Sequence, residues 1–467
     1  MEKFKTIIYD ALYKSRDRAY REYNNIARQQ RLDEEKINKM QMKKLHDICA
    51  YAADKVPYYK RIIKKSELCV GPGEINYGAF RKLPILTKEI LFNNYDSLIA
   101  DAIDKRGSFV SESGGSTGTP VKFIQDKEYQ DKALANKILY DAWAGYEHCQ
   151  KKILLWGSMH DVMGEKESLR QQWGRWIKNE IWLDSFYMDD KIMEDYLEII
   201  NKNKPKLILA YAESIYELAK FIEKNDKKVF SPTSIMTSAG TLYPSMRGTI
   251  ERIFNCPVFN RYGCREVGDI ACECEVHKGL HVNPFTHYVE ILKKDGSLAK
   301  QGEMGEVVVT SLSNFSMPLI RYALSDLAEW GESACSCGRN WPLIGKLYGR
   351  VSDSFVTRDG KIINSLVFYP IFADLESTKA QEWIKQFQVI QESYDNLRVL
   401  IVTHDSAKEN IGDHSKDIDT IAKKIKVLMG AQCNIDFEVA KSIPPVPSGK
   451  RRYMISKVTN EMRENTR

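Results

Sequence analysis

The sequence lacks long apolar runs. None of its 467 residues belongs to a stretch approaching the roughly 18 consecutive apolar residues that a membrane helix needs. The first residues, MEKFKTIIYDALYKSRDRAYREY, carry a charge every few positions and contain no apolar run of signal-peptide length. These absences argue against a membrane protein and predict a cytoplasmic one.

A large excess of charge of one sign is also missing. The chain has 69 basic and 63 acidic residues, a formal net charge of +6, and the basic residues are scattered rather than gathered into one run. This pattern argues against a nucleic-acid partner. In a reducing compartment the ten cysteines are not expected to form disulfides, so a tight cluster of them indicates a metal site or catalysis.

The length and the 43% hydrophobic content suit two or three domains with a large buried core. Residues 1–66 have apolar positions near a helical period, as in EEKINKMQMKKLHDICAYAADKV, and predict a helical lead-in packed on a larger domain. Residues 67–352 alternate strand-like and helical runs, which is typical of a layered α/β domain. After GRVSDSF the pattern starts again, and residues 353–467 predict a small separate α/β domain.

The stretch SESGGSTGTP, residues 111–120, concentrates glycines and hydroxyl side chains. We expect a loop between a strand and a helix, where backbone N–H groups and hydroxyls suit a triphosphate. The Gly-Lys-Ser/Thr ending of a Walker loop is missing, and glycines at 114, 115 and 118 do not have the dinucleotide-binding spacing. Taken alone, the stretch suits a flexible surface loop equally well.

Four further motifs contain residues suited to nucleotide chemistry. In NRYGCREVGD, residues 260–269, a glutamate follows an aromatic-glycine pair and offers a hard oxygen for Mg²⁺. In MPLIRYALSDLAEW an apolar run leads to Asp326, a carboxylate suited to two ribose hydroxyls. GRVSDSF contains Arg350 and Asp353, and VPSGKRRYMISK presents Lys450 after a glycine.

In this order and spacing the five motifs resemble the adenylate-forming superfamily of acyl-CoA synthetases. Within it they resemble the branch of phenylacetate-CoA ligase-like and capsule-biosynthesis adenylate-forming proteins. VPYY at 56–59, LPILTK at 83–88 and CSCGR at 335–339 look most like capsule-type members. The resemblance implies a large N-terminal α/β adenylation domain of several subdomains and a small mobile C-terminal α/β lid domain.

The resemblance also implies roles for particular residues. Tyr262, with Gly263, matches the aromatic that stacks on adenine, and Glu266 matches the glutamate that binds Mg²⁺. Asp326 matches the aspartate that holds the ribose, assisted by Arg350. The residues that match the loop around the β- and γ-phosphates are Ser113, Gly115, Ser116, Thr117 and Gly118, with Thr117 also near Mg²⁺.

Two further matches concern the boundary and the end of the chain. Asp353 lies at the family's hinge, about which the C-terminal domain rotates between two half-reactions. Lys450 matches the lysine that bridges the substrate carboxylate and the α-phosphate. Mg²⁺ and this lysine offset charge that would otherwise repel the attacking carboxylate.

The chain departs from the superfamily pattern at three places. Superfamily members often have a lysine directly after the loop's proline, whereas Pro120 is followed by Val121 and then Lys122. Arg265 replaces the usual threonine, and Gly240 in SAGTL stands where relatives often have glutamate. These departures affect the substrate prediction more than adenylation. The residues we expect to line the acid pocket are Trp156, Tyr211, Ser238 and Ala239.

Cysteines and histidines gather in two clusters on either side of the ribose motif. The first contains Cys272, Cys274, His277 and His281, and the second is Cys335-Ser-Cys337. Thiols and imidazoles in a reducing compartment suit tetrahedral Zn²⁺, although reduced cysteines packed as small apolar side chains are the alternative. The resemblance implies a structural zinc, with the matching positions Cys274, His281, Cys335 and Cys337.

The resemblance therefore predicts ATP-dependent, Mg²⁺-dependent activation of a small carboxylic acid, aromatic or otherwise, followed by transfer to CoA. The alternative acceptors are an amine on a sugar nucleotide or polysaccharide precursor, a carrier-protein thiol, and a deazaflavin coenzyme that would keep AMP. An inactive relative acting as a binding protein is the non-enzymatic alternative. The N-terminal helices suit a homodimer interface, but packing on the protein's own core explains them equally well.

Overall fold

The structure is a computed structural model. It describes residues 18–101, 103, 107–113, 121–157, 169–185, 188–332, 334–364, 368–373, 383–403, 414–444 and 452–458. Strands and helices alternate through these ranges, which confirms the α/β class.

The strands are numbered in chain order. They are β1 Cys69–Gly71, β2 Glu74–Ile75, β3 Phe109–Glu112, β4 Lys122–Gln125, β5 Lys152–Leu155, β6 Glu180–Leu183, β7 Leu207–Tyr211, β8 Ser234–Ser238, β9 Val258–Cys264, β10 Gly268–Glu273, β11 Leu280–Val282, β12 His287–Leu292, β13 Met304–Ser311, β14 Tyr322–Trp330, β15 Leu343–Arg350, β16 Phe355–Val356, β17 Ile362–Ile363, β18 Ile384–Ser393, β19 Asn396–Thr403, β20 Asn434–Val439 and β21 Met454–Ser456.

The helices are referred to by their bounds. They are Arg18–Gln29, Glu34–Lys55, Pro57–Ile62, Lys65–Leu68, Tyr77–Arg81, Lys88–Asn93, Tyr95–Leu98, Lys127–Trp143, Leu169–Lys178, Asp190–Asn203, Ala212–Lys224, Pro244–Phe254, Pro370–Ala373 and Ser415–Met429, with a 3₁₀ turn at Val351–Asp353. Within the described ranges, no helix is long and apolar enough to cross a membrane.

Most of the larger part is organised around one eleven-stranded sheet with the order β12-β13-β14-β15-β11-β10-β9-β8-β7-β5-β6. Strands β9, β8, β7, β5 and β6 are parallel to their neighbours in this series. All residues of β5, β7 and β8 are buried, as expected for parallel strands covered by helices on both faces. The remaining strands pair antiparallel. The carboxyl ends of the parallel strands therefore lie together at one edge, where open α/β sheets bind ligands.

The sequence prediction for the surroundings of the glycine-rich stretch was wrong in one respect. Its flanks are not a strand and a helix but two antiparallel strands, β3 and β4, in which Ser111 pairs with Phe123 and Glu112 with Lys122. The helix Lys127–Trp143 begins only after β4, where the Asp126 side chain accepts from the backbone N–H of Tyr129 at 2.8 Å. The segment after the loop has an outward lysine followed by three buried residues, so it forms a strand.

The N-terminal helices pack on the large sheet through hydrogen bonds to backbone carbonyls. Gln41 donates to His287 at 2.8 Å, Lys44 donates to Phe285 at 2.9 Å, and the Tyr59 hydroxyl donates to Pro318 at 3.0 Å. Their buried face thus contacts the protein's own core.

The C-terminal part contains a four-stranded sheet with the order β20-β19-β18-β21 and the helix Ser415–Met429. It contacts the large part through aromatic side chains, including Tyr243 and Tyr369, whose rings are stacked with centroids 4.0 Å apart. Tyr453 packs edge-on against Tyr369 at 4.8 Å. The boundary at residue 353 remains a prediction.

Candidate active site

A cavity of about 1430 Å³ opens at the carboxyl ends of the parallel strands. It extends from β5, β7 and β8 across β9 to the ends of β14 and β15. The predicted site residues that line it are Trp156, Tyr211, Ser238, Ala239, Tyr262, Gly263, Glu266, Asp326, Arg350 and Asp353. Motifs separated by up to about two hundred residues in sequence therefore contribute to one cavity.

The predicted nucleoside end is organised around one carboxylate. The Tyr262 hydroxyl donates to Asp326 Oδ2 at 2.8 Å, and Arg350 Nε lies 3.7 Å from Asp326 Oδ1. Asp326 and Arg350 face each other because they are paired across β14 and β15. Burial would lower the pKa of Arg350, but neighbouring carboxylates, Asp326 first, raise it above its usual value. Burial, together with Asp326, holds the pKa of Tyr262 well above its usual value, so its phenol remains a donor.

Glu266 lies beside this end on the turn between β9 and β10. Its side chain is 6% exposed and its Oε1 lies 3.7 Å from Lys88 Nζ. The Tyr322 hydroxyl donates to the same oxygen at 3.5 Å. Gln125 donates to the backbone carbonyls of Arg265 and Glu266 at 2.9 and 3.4 Å, which fixes the turn from behind. A carboxylate held in this way fits a hard cation such as Mg²⁺.

The described residues show how the predicted phosphate loop is closed at its base. The Ser113 N–H donates to the Val121 carbonyl, and the Val121 N–H donates to the Ser113 hydroxyl, both at 2.9 Å. The two ends of the loop are thus held together next to the cavity. The other predicted members, Gly115, Ser116, Thr117 and Gly118, lie outside the described residues, as does Lys450.

The predicted acid end of the cavity includes Tyr211 on β7. This strand lies two positions along the sheet from β9, which carries Tyr262. The rings of Trp156 and Tyr211 meet edge to face at 4.4 Å, and the Tyr211 hydroxyl donates to the Gly157 carbonyl at 2.7 Å. Ala239, which follows β8 and lines the cavity, has φ of 68°, in the left-handed region.

Sequence reasoning missed one acidic residue at this end, Glu213. Its side chain is buried and lines the cavity at the start of the helix Ala212–Lys224. A Cβ at Gly240 would lie 2.1 Å from Glu213 Oε2, so the glycine makes room for this carboxylate. The absence of glutamate at Gly240 was the only signal in the sequence. The carboxylate at this wall of the cavity comes instead from Glu213, on the helix Ala212–Lys224.

The tail of the chain reaches the cavity through the hinge aspartate. Arg452 Nε donates to Asp353 Oδ1 at 2.8 Å, and Arg452, Tyr453 and Met454 line the cavity. Pairing of β21 with β18 holds this segment, with Met454 opposite Val389. The predicted hinge and the residues just after Lys450 therefore meet at one edge of the site. Sequence analysis did not assign Arg452 a role.

A separate cluster is formed by Cys274, His281, Cys335 and Cys337, whose ligand atoms all lie within 4.8 Å of one another. The Cys274 and Cys335 sulfurs are 3.7 Å apart, and Cys337 Sγ is 3.4 Å from His281 Nε2. A tetrahedral zinc with Zn–S distances of about 2.3 Å would place two sulfurs about 3.8 Å apart. The donor types and their spacing therefore fit zinc.

The other two candidates of the sequence analysis do not join this cluster. His277 Nδ1 lies 3.1 Å from Glu273 Oε2, and the fully buried Cys272 belongs to β10 rather than to the loop that follows it. Burial, followed by the nearby Arg339, lowers the pKa of His281 to about 4, so its imidazole is neutral and able to bind a metal.

With this geometry in place, comparisons with solved structures define the class of fold. The chain superposes on 2-hydroxyisobutyryl-CoA ligase in the postadenylation state with a TM-score of 0.68 at 16% identity, covering 91% of both chains. The same ligase in the thioesterification state gives a TM-score of 0.56. The fold is therefore that of the adenylate-forming CoA ligases.

Sequence comparisons add particular relatives. The chain is 24% identical to Protein CapK of Staphylococcus aureus over 90% of this chain and 89% of that protein. It is 22% identical to the phenylacetate-coenzyme A ligase of Thermus thermophilus over 91% of this chain and 97% of the ligase. Residues 355–457 match the family described as the CapK C-terminal domain. The resemblance inferred from the five motifs is thereby confirmed: the relatives are CapK and phenylacetate-CoA ligases.

Proposed function

We propose that the protein uses ATP to convert a small carboxylic acid to an acyl-adenylate and then transfers the acyl group to CoA. The observation that carries the proposal is the convergence of Tyr262, Asp326, Arg350 and Glu266 on one cavity, which is also lined by Ser111 and Glu112 at the start of the glycine-rich stretch. The relatives that are CoA ligases and the shared fold support it.

In this proposal ATP binds before the adenylation reaction, with its nucleoside at the end of the cavity that contains Asp326. Asp326 accepts from the ribose hydroxyls, and its interactions with Tyr262 and Arg350 orient the carboxylate. The Tyr262 ring offers a flat face to adenine. Glu266 would hold Mg²⁺, which supplies charge neutralisation at the phosphates when bound.

At the acid end, the substrate carboxylate must approach the α-phosphate while its side chain occupies the wall formed by Trp156 and Tyr211. The edge-to-face aromatic pair suits a planar or short apolar group. Lys450 is proposed to bridge the carboxylate and the α-phosphate. The carboxylate oxygen forms a bond to the α-phosphorus, and the bond to pyrophosphate breaks with its electron pair leaving on pyrophosphate.

One observation favours a second acceptor. The C-terminal part, which lines the cavity through Arg452 and Tyr453, matches the CapK C-terminal family. In the alternative, the same acyl-adenylate passes to an amine on a sugar nucleotide or polysaccharide precursor, to a carrier-protein thiol, or AMP is retained on a deazaflavin. Adenylation is common to both proposals.

The test is release of AMP and pyrophosphate from ATP and Mg²⁺ with pooled carboxylic acids, with and without CoA, followed by mass spectrometry of the products. CoA-dependent turnover that yields an acyl-CoA would establish the ligase and identify its acid. AMP release that is independent of CoA and increases with an amine would establish the alternative acceptor. Binding of ATP without acid-dependent turnover across a broad acid set would contradict the enzymatic proposal and favour a binding protein.

We also propose that Cys274, His281, Cys335 and Cys337 hold a structural zinc. The four ligands leave no position for a substrate, as in closed structural sites. The substrate carboxylate already supplies the nucleophile, so the adenylation chemistry requires no cysteine.

A further inference from the structure

Lys88 is one of the charged residues of the cavity that have no role in the function as proposed so far. Lys88 lines the cavity wall, and its Nζ lies 3.7 Å from Oε1 of Glu266, the proposed Mg²⁺ ligand. The lysine side chain is 32% exposed, whereas that of Glu266 is 6% exposed. The ammonium is therefore open to the cavity while its partner is enclosed by protein.

The backbone that carries Lys88 is fixed to the large sheet. Leu86 donates its N–H to the Arg321 carbonyl and accepts from the Ala323 N–H, both at 2.9 Å. Thr87 caps the helix Lys88–Asn93 by accepting from the Ile90 N–H at 3.2 Å. The lysine thus begins a short helix whose entry is bonded to β14 and the residue before it.

A buried ion pair holds the preceding residues in place as well. The Arg321 guanidinium donates to the carbonyls of Arg81 and Leu83, each at 2.6 Å, and binds Glu290 at 3.0 and 3.2 Å. Arg321 has φ of 52°, a backbone conformation rarely adopted by a non-glycine residue, and its side chain is buried. These contacts fix the backbone that leads to Lys88 and so hold the lysine next to Glu266.

The lysine that follows the glycine-rich loop is not available for the same task. Lys122 Nζ lies 3.8 Å from Glu112 Oε1, and its side chain is 63% exposed. It is absent from the residues that line the cavity in the described part of the chain. The cation that superfamily members often place directly after the loop's proline is therefore missing from that position.

We propose that Lys88 is the cation that binds the β- or γ-phosphate of ATP at this site, in place of a lysine after the loop. This proposal rests on the proposed function. With nucleotide bound, Glu266 would hold Mg²⁺, and the Lys88 ammonium beside it would bind a non-bridging phosphate oxygen. Lys88 stabilises the charge that accumulates on pyrophosphate as the bond to the α-phosphorus breaks.

A structural role for Lys88 makes a different prediction. If it serves only to neutralise the buried Glu266, its loss should disturb the site for every nucleotide. A contact with the β- or γ-phosphate should be felt by ATP and not by AMP, which lacks both. Comparison of the two nucleotides therefore separates the roles without requiring knowledge of the acid.

The experiment measures the Kd of ATP and of AMP, each with Mg²⁺, by calorimetry for the wild-type chain, Lys88→Gln, Lys88→Arg and Lys122→Gln. Lys88→Gln should weaken ATP about 10- to 100-fold, as expected for loss of a charge-assisted hydrogen bond, and leave AMP within about twofold. Lys88→Arg should recover part of the ATP affinity. Lys122→Gln is the matched control and should change neither constant.

Equal weakening of ATP and AMP by Lys88→Gln would overturn the proposal in favour of the structural role, and unchanged constants would overturn it outright. Either result would leave adenylation in place, because the wild-type chain would still bind both nucleotides. A wild-type chain that binds neither nucleotide would instead overturn the proposed function, and the role of Lys88 with it.

Discussion

The proposed nucleotide cavity and the cysteine-histidine cluster lie on the same large sheet, yet their polar side chains face different surroundings. Around Asp326, each side chain has a protein partner and also borders an open cavity of about 1430 Å³. In the cluster, four ligand atoms face one another within 4.8 Å. Polar side chains on one sheet can thus leave room for a ligand, as around Asp326, which suits binding and reaction. Where they face one another closely, as in the cluster, they suit a structural role.

The two regions meet at two neighbouring residues of the chain, Glu273 and Cys274. Glu273, which lines the cavity, binds Arg247 at 2.6 and 2.8 Å and accepts from the Asn260 N–H at 2.9 Å, while the adjacent Cys274 belongs to the cluster. Changes in the cluster should therefore affect stability more than catalysis, and changes in the cavity the reverse.

The largest expected effect is on stability. The double variant Cys335→Ser/Cys337→Ser should lose about one zinc per chain. Because the bonds between the metal and its ligands stabilise the folded state, the free energy of unfolding should fall by about 4 kcal/mol or more. Elemental analysis and denaturant unfolding measure the two quantities. Cys69→Ser, outside the cluster and partly exposed, is the control and should change neither. Native protein without metal would contradict the zinc proposal.

The next effect is on catalysis alone. Lys450→Ala should slow acyl-adenylate formation by roughly 10²- to 10³-fold, since a charge at the reacting phosphate is lost. Transfer from a supplied acyl-adenylate to the acceptor should stay nearly intact, as should stability. Lys457→Ala is a suitable control because that exposed lysine pairs with Glu392. An equal loss in both half-reactions would refute the assigned role.

A third effect depends on pH and concerns His287, which contacts the residue that follows Glu266. His287 is fully buried, its Nε2 lies 2.8 Å from the Val267 carbonyl, and burial lowers its pKa to about 4. Because the unfolded-state pKa is about 6.5, its contribution is present above that pH and is lost as the pH falls towards 4. The loss amounts to about 3 kcal/mol.

Urea unfolding of the wild type and of His287→Gln between pH 7 and pH 4 measures this contribution. The variant should be less stable at pH 7 and should lose less stability on acidification. His46→Gln, at a partly buried surface position, is the control and should keep the wild-type dependence. Parallel curves for wild type and His287→Gln would contradict the assignment.

The smallest effect is a single hydrogen bond. Tyr262→Phe removes the donor to Asp326 and should weaken ATP and AMP binding by a similar factor, about 3- to 10-fold, for a loss near 1 kcal/mol. Calorimetry with both nucleotides measures it. Tyr59→Phe removes a buried hydroxyl that donates to the Pro318 carbonyl; neither residue lines the cavity, so both affinities should stay unchanged. Weakening of ATP alone would place Tyr262 near the phosphates rather than the nucleoside.

Much of this arrangement could be predicted from local sequence. The alternation of strand-like and helical runs over residues 67–352 predicted the layered α/β part, and the motifs around Tyr262, Asp326 and Arg350 predicted the residues that meet at Asp326 and Glu266. Lys88 could not be assigned a role, because its position depends on Arg321 binding backbone carbonyls some 240 residues away in sequence.

The sequence did not predict a role for Glu213 for a similar reason. Its carboxylate meets Gly240 through the adjacency of β7 and β8, a contact that no local pattern encodes. The loop between β3 and β4 was placed before a helix because glycine-rich phosphate loops often precede one. The segment after Val121, an exposed lysine followed by three buried residues, instead forms an antiparallel strand. For Lys88 and Glu213 the missing information was a contact between distant segments, whereas for the loop it was the pairing of two neighbouring strands.

The central claim is that the cavity forms an acyl-adenylate reversibly. Its most direct test is the exchange of labelled pyrophosphate into ATP in the presence of Mg²⁺ and a carboxylic acid that turns over, without any acceptor. We predict acid-dependent exchange that is abolished by Asp326→Ala and persists in the zinc-cluster variant below its unfolding temperature. Release of ADP and phosphate without exchange, in a chain that binds ATP and the acid, would contradict the claim.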